Sequence, residues 1–315
     1  MTVQETAAWL KEHDRFLILT HVRPDGDTVG CAAALCAALQ KIGKTAYVLP
    51  NPELTATCAD YLTPYYAPDD YTAETIVSTD VASLGLLPEN AQKYADCIHF
   101  SIDHHPSYEG FAKDGCCVQP EHAAAGEIVY KIVCELDAMT PTIATALYCA
   151  VSTDTGCFVY NNTTADTHRT AAALIDAGCD MQMVNKRHFR TKSRARIALE
   201  SAILSSVEFY DHNRIAVVTV PQSLLQSVGA TLDDAEEIAS MAGVIEGVDC
   251  ALTIRELANG KSKISLRTGD RVNATDACRI LGGGGHAQAS GATMDCSLSE
   301  AKSRALDAIA QVAKN

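Results

Sequence analysis

No run of this sequence is apolar for long enough to cross a bilayer. A spanning helix needs roughly 20 mostly apolar residues, and the longest small-apolar stretch, CAAALCAAL at 31–39, falls well short. The N-terminus, MTVQETAAWLKEHDRFLIL, lacks the basic start, apolar core and small-residue cleavage site of a secretory signal. A cytoplasmic location and no membrane partner are therefore expected. The 13 cysteines, an odd number, contain no C-x-x-C pair, which argues against a zinc ribbon. Cys31, Cys36, Cys149 and Cys250 sit in apolar contexts and read as small buried hydrophobes, a usage that suits a reducing compartment. Basic charge is also scarce: 25 Lys and Arg stand against 39 Asp and Glu, a formal net charge of −14. That disfavours a surface gripping long duplex nucleic acid, which usually needs a basic stripe. It leaves room for a small anion held locally. No internal repeat and no low-complexity tract interrupts the chain.

What is present is ordinary globular material, 315 residues with 47% hydrophobic and 20% charged. At about 100–200 residues per domain this predicts roughly two domains, each large enough to bury a core. The first half alternates short apolar runs with helical patterns. FLILTH (16–21), TAYVL (45–49), TIVSTD (75–80) and CIHFSIDHH (97–105) read as strands, and residues 28–43, 123–137 and 142–152 as helices. Such alternation predicts an α/β domain with a mostly parallel sheet covered on both faces, over residues 1–185. A charged, then helical stretch (185–209) reads as a connector, giving a helical linker over 186–211. From 212 the pattern restarts with RIAVVTV, a helix around 233–242, VDCALTIREL, KSKISLRT, a helix near 274–281 and a glycine run. Residues 212–315 are expected to form a smaller α+β domain.

In parallel sheets, ligands gather at the C-terminal ends of the strands. His21, Asp80 and the Asp103–His105 cluster all end expected strands. Pro24 and Gly26 make HVRPDGDTVG (21–30) turn, which folds His21, Asp25 and Asp27 around one point. Asp154 follows a helical run and precedes a Thr-Gly loop signal. Four carboxylates in one pocket repel strongly if unpaired, and a combined charge of about −4 balances two divalent cations. Mixed imidazole and carboxylate ligation from His21, Asp25, Asp27, Asp80, His104 and Asp154 suits Mn²⁺ or a related ion, with Mg²⁺ or Co²⁺ as substitutes. Phosphate-ester hydrolysis benefits most from such a pair of ions.

The motifs that carry this reading, H-x-x-x-D-x-D at 21–27, S-T-D at 78–80, D-H-H at 103–105 and T-D-T-G at 153–156, resemble the four motifs of the DHH phosphoesterases. GGGGHAQASGA (282–292) resembles the glycine–histidine signature of the DHH-associated domain, and KISLRT (263–268) its substrate-contacting strand. Length and layout are most similar to the group that cleaves short oligoribonucleotides and 3′-phosphoadenosine 5′-phosphate (pAp). The resemblance implies an active site in the cleft between the two domains. His21, Asp25 and Asp80 would hold one ion. Asp27, Asp80, His104 and Asp154 would hold the other, with Asp80 shared. His105 would face the scissile phosphate, and Asp103 would orient a neighbour. In the second domain, Gly283, Gly284, Gly285 and His286 would meet a phosphate. Arg267 and Arg255 would clamp it. Asn273 is a weaker contact that also reads as a helix cap.

The implied substrates are short RNA oligonucleotides, dinucleotides or pAp, with a homodimer left open. A phosphodiesterase for cyclic or linear dinucleotides would use the same centre, and a silent nucleotide-binding regulator is the non-enzymatic alternative. Residues 186–196, KRHFRTKSRAR, hold six Lys or Arg. They read either as a solvated face or as an electrostatic guide for substrate.

Overall fold

The computed structural model describes residues 1–231, 233–235 and 237–313. The chain forms two compact units, Met1–Thr191 and Lys192–Asn315. Among the described residues no helix is long and apolar enough to cross a membrane.

The first unit carries a five-stranded sheet of β1 (Phe16–Leu19), β2 (Ala46–Val48), β3 (Thr75–Thr79), β4 (Phe100–Asp103) and β5 (Gly115–Val118). The spatial order is β2-β1-β3-β4-β5 and every pairing is parallel. Its helices are α1 (Val3–Glu12), α2 (Gly26–Lys41), α3 (Ala56–Leu62), α4 (Ala125–Glu135), α5 (Pro141–Asp154), α6 (Ala165–Asp176) and α7 (Met181–Asn185). All four residues of β1 and all five of β3 are buried. A strand covered on both faces reads as a continuous apolar run. Its side chains still alternate: Phe16 and Ile18 join the core with α2, α4 and α5, while Leu17 and Leu19 join Ile76, Val81 and Ile98 on the opposite face.

The second unit holds α8 (Arg194–Ser205), β6 (Glu208–Tyr210), β7 (Ile215–Val220), α9 (Gln222–Val228), β8 (Cys250–Glu256), β9 (Ser262–Thr268), α10 (Ala274–Ile280), β10 (Gly284–His286), β11 (Ala289–Met294) and α11 (Leu298–Val312). Its strands run β10-β11-β9-β8-β7-β6, with β7 parallel to β8 and the other pairings antiparallel. Leu252, Ile254, Ile264, Leu266, Ala292 and Met294 turn to one face and pack on α10 and α11.

Three expected elements differ. The helical linker expected over 186–211 is not one helical piece: Lys192 onward belongs to the second unit, and Glu208–Tyr210 is strand β6. The strand anticipated over 97–105 is shorter: Glu89–Cys97 is 3₁₀, and β4 ends at Asp103. An apolar run marks burial but does not mark where backbone pairing starts. The helix expected around 233–242 is two 3₁₀ segments, Asp233–Ala235 and Glu237–Val244, and residue 236 between them lies outside the described residues. Residues 314 and 315 of the expected second domain, and residue 232, lie outside them as well.

One close approach shapes the first unit. Gly26 and Gly30 lie one turn apart on α2 and both face α5. A Cβ on Gly26 would collide with the Thr153 side chain, and one on Gly30 with the Ala146 carbonyl and the Ala150 methyl. The missing side chains let α2 and α5 touch backbone to backbone, which brings Asp27 at the start of α2 to Asp154 at the end of α5. Helix propensity alone favours alanine over an interior glycine by about 1 kcal/mol. The contact reverses that sign: Gly30→Ala is expected to lose about 1–3 kcal/mol in urea unfolding. A variant more stable than the wild type would contradict this account of the helix pair.

Candidate metal centre

Every centre residue but Asp154 enters from the C-terminal rim of the first sheet. His21 lies just beyond β1 and Asp80 directly after β3. Asp80 adopts a left-handed backbone, φ 58°, while its N–H donates to the Ile102 carbonyl at 2.8 Å. Non-glycine residues tolerate that region at a cost, most readily Asp and Asn. Asp25 caps α2, its Oδ1 accepting from the Asp27 and Thr28 amides. Asp27 sits in the first turn of α2, and Asp154 is the last residue of α5 rather than a residue beyond it. His104 and His105 follow the end of β4, so the strand's alternation no longer holds them to opposite faces. Both imidazoles reach the same pocket.

Three groups of ligand atoms lie within 4.8 Å of one another: His21–Asp25–Asp80, Asp27–His104–Asp154, and Asp80–His104–His105. Asp80 links them. Its Oδ2 is 3.8 Å from His21 Nε2, and its Oδ1 is 3.6 Å from His104 Nε2 and 3.5 Å from His105 Nδ1. His104 Nε2 is also 3.8 Å from Asp27 Oδ2 and 3.6 Å from Asp154 Oδ2. His21 and His104 share a device. Each turns Nδ1 to a backbone carbonyl, Val22 at 2.8 Å and His122 at 3.2 Å. A carbonyl only accepts, so Nδ1 carries the proton and Nε2 faces the pocket. Asp103 acts on His105 instead, its Oδ1 accepting from the His105 backbone N at 2.7 Å and from Nδ1 at 2.8 Å. That leaves His105 Nε2 as the nitrogen available to a ligand.

Sequence reasoning missed the groups that hold Asp27. The Ala125 and Gly126 amides, at the start of α4, donate to its two oxygens at 2.7 and 2.9 Å, and the Cys31 thiol donates at 3.3 Å. Backbone donors leave no sequence signal, though the Cys31 thiol, one turn after Asp27, was visible.

In the second unit, strand register collects the expected phosphate contacts on one face. His286 pairs with Ala289, Ala289 with Arg267, and Arg267 with Ala251. Directly paired residues project from the same side of a sheet, so His286 and Arg267 flank the small Ala289. His286, Gly284 and Gly285 are exposed, and Gly283 and Arg267 half-buried. Arg267 also donates to the Leu266 carbonyl at 3.1 Å. Arg255 shares this face, four residues beyond Ala251, but is buried at 8% exposure. Asn273 caps α10, its Oδ1 accepting from Thr275 and Asp276. That leaves only its amide nitrogen for a ligand. Of the basic run at 186–196, Arg187 pairs with Asp60, and Lys192 and Arg196 pair with Glu200. Lys186, Arg190 and Arg194 make no ion pair among the described residues, so any guiding field rests chiefly on them.

Two family models match the chain, the DHH family N-terminal domain over residues 15–151 and the DHHA1 domain over residues 213–315. A bifunctional oligoribonuclease and PAP phosphatase, NrnA, of Thermus thermophilus is 30% identical over 93% of this chain and 88% of its own. The chain belongs to the DHH family. A Bacillus subtilis protein of the same name is 25% identical over 90% of each chain. Among solved structures, an exopolyphosphatase-related protein from Bacteroides fragilis aligns with a TM-score of 0.87 at 23% identity, over 98% of this chain and 95% of that one. Exonuclease RecJ bound to manganese aligns with a TM-score of 0.56 at 14% identity, over 99% and 95%. These likenesses show a shared fold.

The DHH centre of this chain fits divalent cations. Asp80 Oδ1 is buried and accepts no hydrogen bond among the described residues, a loss of about 1–3 kcal/mol for an ordinary acceptor. Burial and mutual repulsion push Asp27 and Asp80 well above the usual carboxylate range, and raise Asp154 to about 7. Burial alone would lower His21, but Asp25 and Asp80 outweigh it and push it up to about 9. The pocket therefore lacks positive charge that its own groups supply only by holding protons, and cations would displace those protons.

Linkage gives a test. Asp154 holds its proton to about 7 against an ordinary 3.8, so across that window the unfolded chain binds fewer protons and stability falls as pH rises. His21, raised from 6.5 to about 9, contributes stability below pH 6.5 that is lost as pH climbs through 9. His104, lowered by burial and by His105, slopes the other way, but only below 6.5. Protein treated with a chelator is expected to melt progressively lower between pH 6.5 and about 8.5. Added Mn²⁺ should restore more melting temperature at the upper end. A flat or rising melting temperature in chelator would contradict this charge balance.

Proposed function

We propose that this chain is a metal-dependent phosphoesterase that hydrolyses short oligoribonucleotides to mononucleotides and pAp to AMP and phosphate. The observation that carries the reading is the placement of two adjoining ligand groups, His21–Asp25–Asp80 and Asp27–His104–Asp154, with His104 Nε2 3.6 Å from the buried Asp80 carboxylate. Relatives that match nearly the whole chain are named for oligoribonuclease and PAP phosphatase activity. Two divalent cations, Mn²⁺ with Mg²⁺ or Co²⁺ as substitutes, would supply hydroxide at neutral pH and neutralise charge on the phosphoryl oxygens.

The chain's own groups do the rest. His21, Asp25 and Asp80 would hold one ion; Asp27, Asp80, His104 and Asp154 would hold the other. His105, its Nδ1 fixed on Asp103, presents Nε2 to the scissile phosphate and donates to an oxygen as charge builds there. Arg267 and His286, on one face of the second sheet, take a terminal phosphate, and the exposed glycines before His286 offer backbone N–H groups to it. A ligand of a few nucleotides needs only this local positive charge, which agrees with a net charge of −14.

A panel of pAp, two- to five-residue RNA, a linear dinucleotide and a cyclic dinucleotide, each with Mn²⁺, tests the assignment. Turnover of pAp and of the short RNAs is expected. Asp80→Ala should abolish all of it, and His105→Ala should lower kcat by about 10²–10⁴-fold with metal binding retained. Cleavage of the cyclic dinucleotide alone would move the substrate to that class. No turnover of any compound would favour a nucleotide-binding regulator.

A further inference from the structure

Beside the centre lies a buried polar network with no part in the scheme above. Glu127, on α4, is completely buried, and a buried carboxylate is costly unless it is well bonded. Thr167 Oγ1 donates to its Oε1 at 2.7 Å, the Ala123 amide donates to the same oxygen at 3.3 Å, and His122 Nδ1 lies 3.0 Å from Oε2. Burial alone would raise its pKa, but the bonds from His122 and Thr167 prevail and hold it below the ordinary value. Lys131 Nζ sits 2.8 Å from His122 Nε2, and Gln119 Oε1 3.0 Å from the same atom. A carboxylate held in its ionised form only accepts, so Nδ1 carries the proton that Glu127 receives. One carboxylate thus ties down both the side chain of residue 122 and the backbone of residue 123.

The segment it holds is the one that aims two metal-binding side chains. The His122 carbonyl accepts from His104 Nδ1 at 3.2 Å, and the Ala125 and Gly126 amides donate to Asp27 at 2.7 and 2.9 Å. The N-cap of α4, Ala124, has no side chain to satisfy these amides, so they are directed at Asp27 instead. Gly126 keeps the approach open: a Cβ there would come within 2.6 Å of the Ala150 methyl and 3.4 Å of Asp27 Oδ1. None of these bonds reaches His21 or Asp25.

We propose that Glu127 is a positioning residue for one half of the centre: it locks the 122–126 segment whose carbonyl and amides orient His104 and Asp27. The proposal rests on reading those two side chains as metal ligands. Its signature is selective, because the Asp27–His104–Asp154 site should weaken while the His21–Asp25–Asp80 site keeps its affinity. Mn²⁺ titration of the full chain, with free ion followed by electron paramagnetic resonance, reads this without activity. Wild type is expected to bind two equivalents. Glu127→Ala should lose about 10–100-fold in affinity at one of them and keep the other. Lys131→Met, which removes the outermost member of the network, should show a smaller loss at the same site and serves if Glu127→Ala does not fold. Two unchanged affinities in a folded variant, or equal weakening of both, would overturn the positioning role. Wild type binding no Mn²⁺ would instead overturn the metal reading on which it rests.

Discussion

The structure turns on the repulsion among buried carboxylates. Asp27 and Asp80 are buried and Asp154 is half-buried beside them, and the protein supplies too little positive charge to balance them. Burial and repulsion push all three carboxyls upward, and His21 answers by holding a proton at neutral pH. A chain selected for stability alone would replace such a cluster with apolar groups. Keeping it makes sense only if cations complete it, and cations at that point are suited to phosphoryl chemistry.

The remaining architecture serves to bring the carboxylates into one place. Parallel strands end together at one rim, so residues distant in sequence arrive there side by side. The glycine contacts of α2 against α5 set the spacing of Asp27 and Asp154. Carbonyls of Val22 and His122 choose the tautomer of two imidazoles, and Asp103 fixes a third. Rigidity in these supports matters because a loosely held ligand set would relax outward under its own repulsion. The second unit offers a different chemistry, a sheet whose register gathers Arg267 and His286 on one face.

Much of this was legible in the sequence, for identifiable reasons. Buried parallel strands leave continuous apolar runs, so FLIL and TIVST stood out. The polar residues that end such runs, Asp80, Asp103 and His104, marked the rim. Asn273 before a helical run read correctly as a cap. Other elements left weaker traces. The capping box of α1, Thr2 with Glu5, was present in the sequence but overlooked. Strand β5, GCCV, has no apolar alternation and is defined by its pairing with β4. The strand at Gly284–His286 hides in a glycine run that composition assigns to a loop. Those glycines permit close backbone pairing with β11, where a Cβ on Gly285 would come within 2.8 Å of Ser290. The burial of Arg255 and the Thr167 bond that completes the network around Glu127 depend on elements far apart in the chain, and no local pattern announces them.

The most direct measurement is an anomalous difference map from crystals grown with Mn²⁺, collected above and below the manganese edge. The account predicts two peaks on either side of the Asp80 carboxylate, one toward His21 and Asp25 and the other toward Asp27, His104 and Asp154. Peaks elsewhere, or none within bonding distance of Asp80, would contradict it.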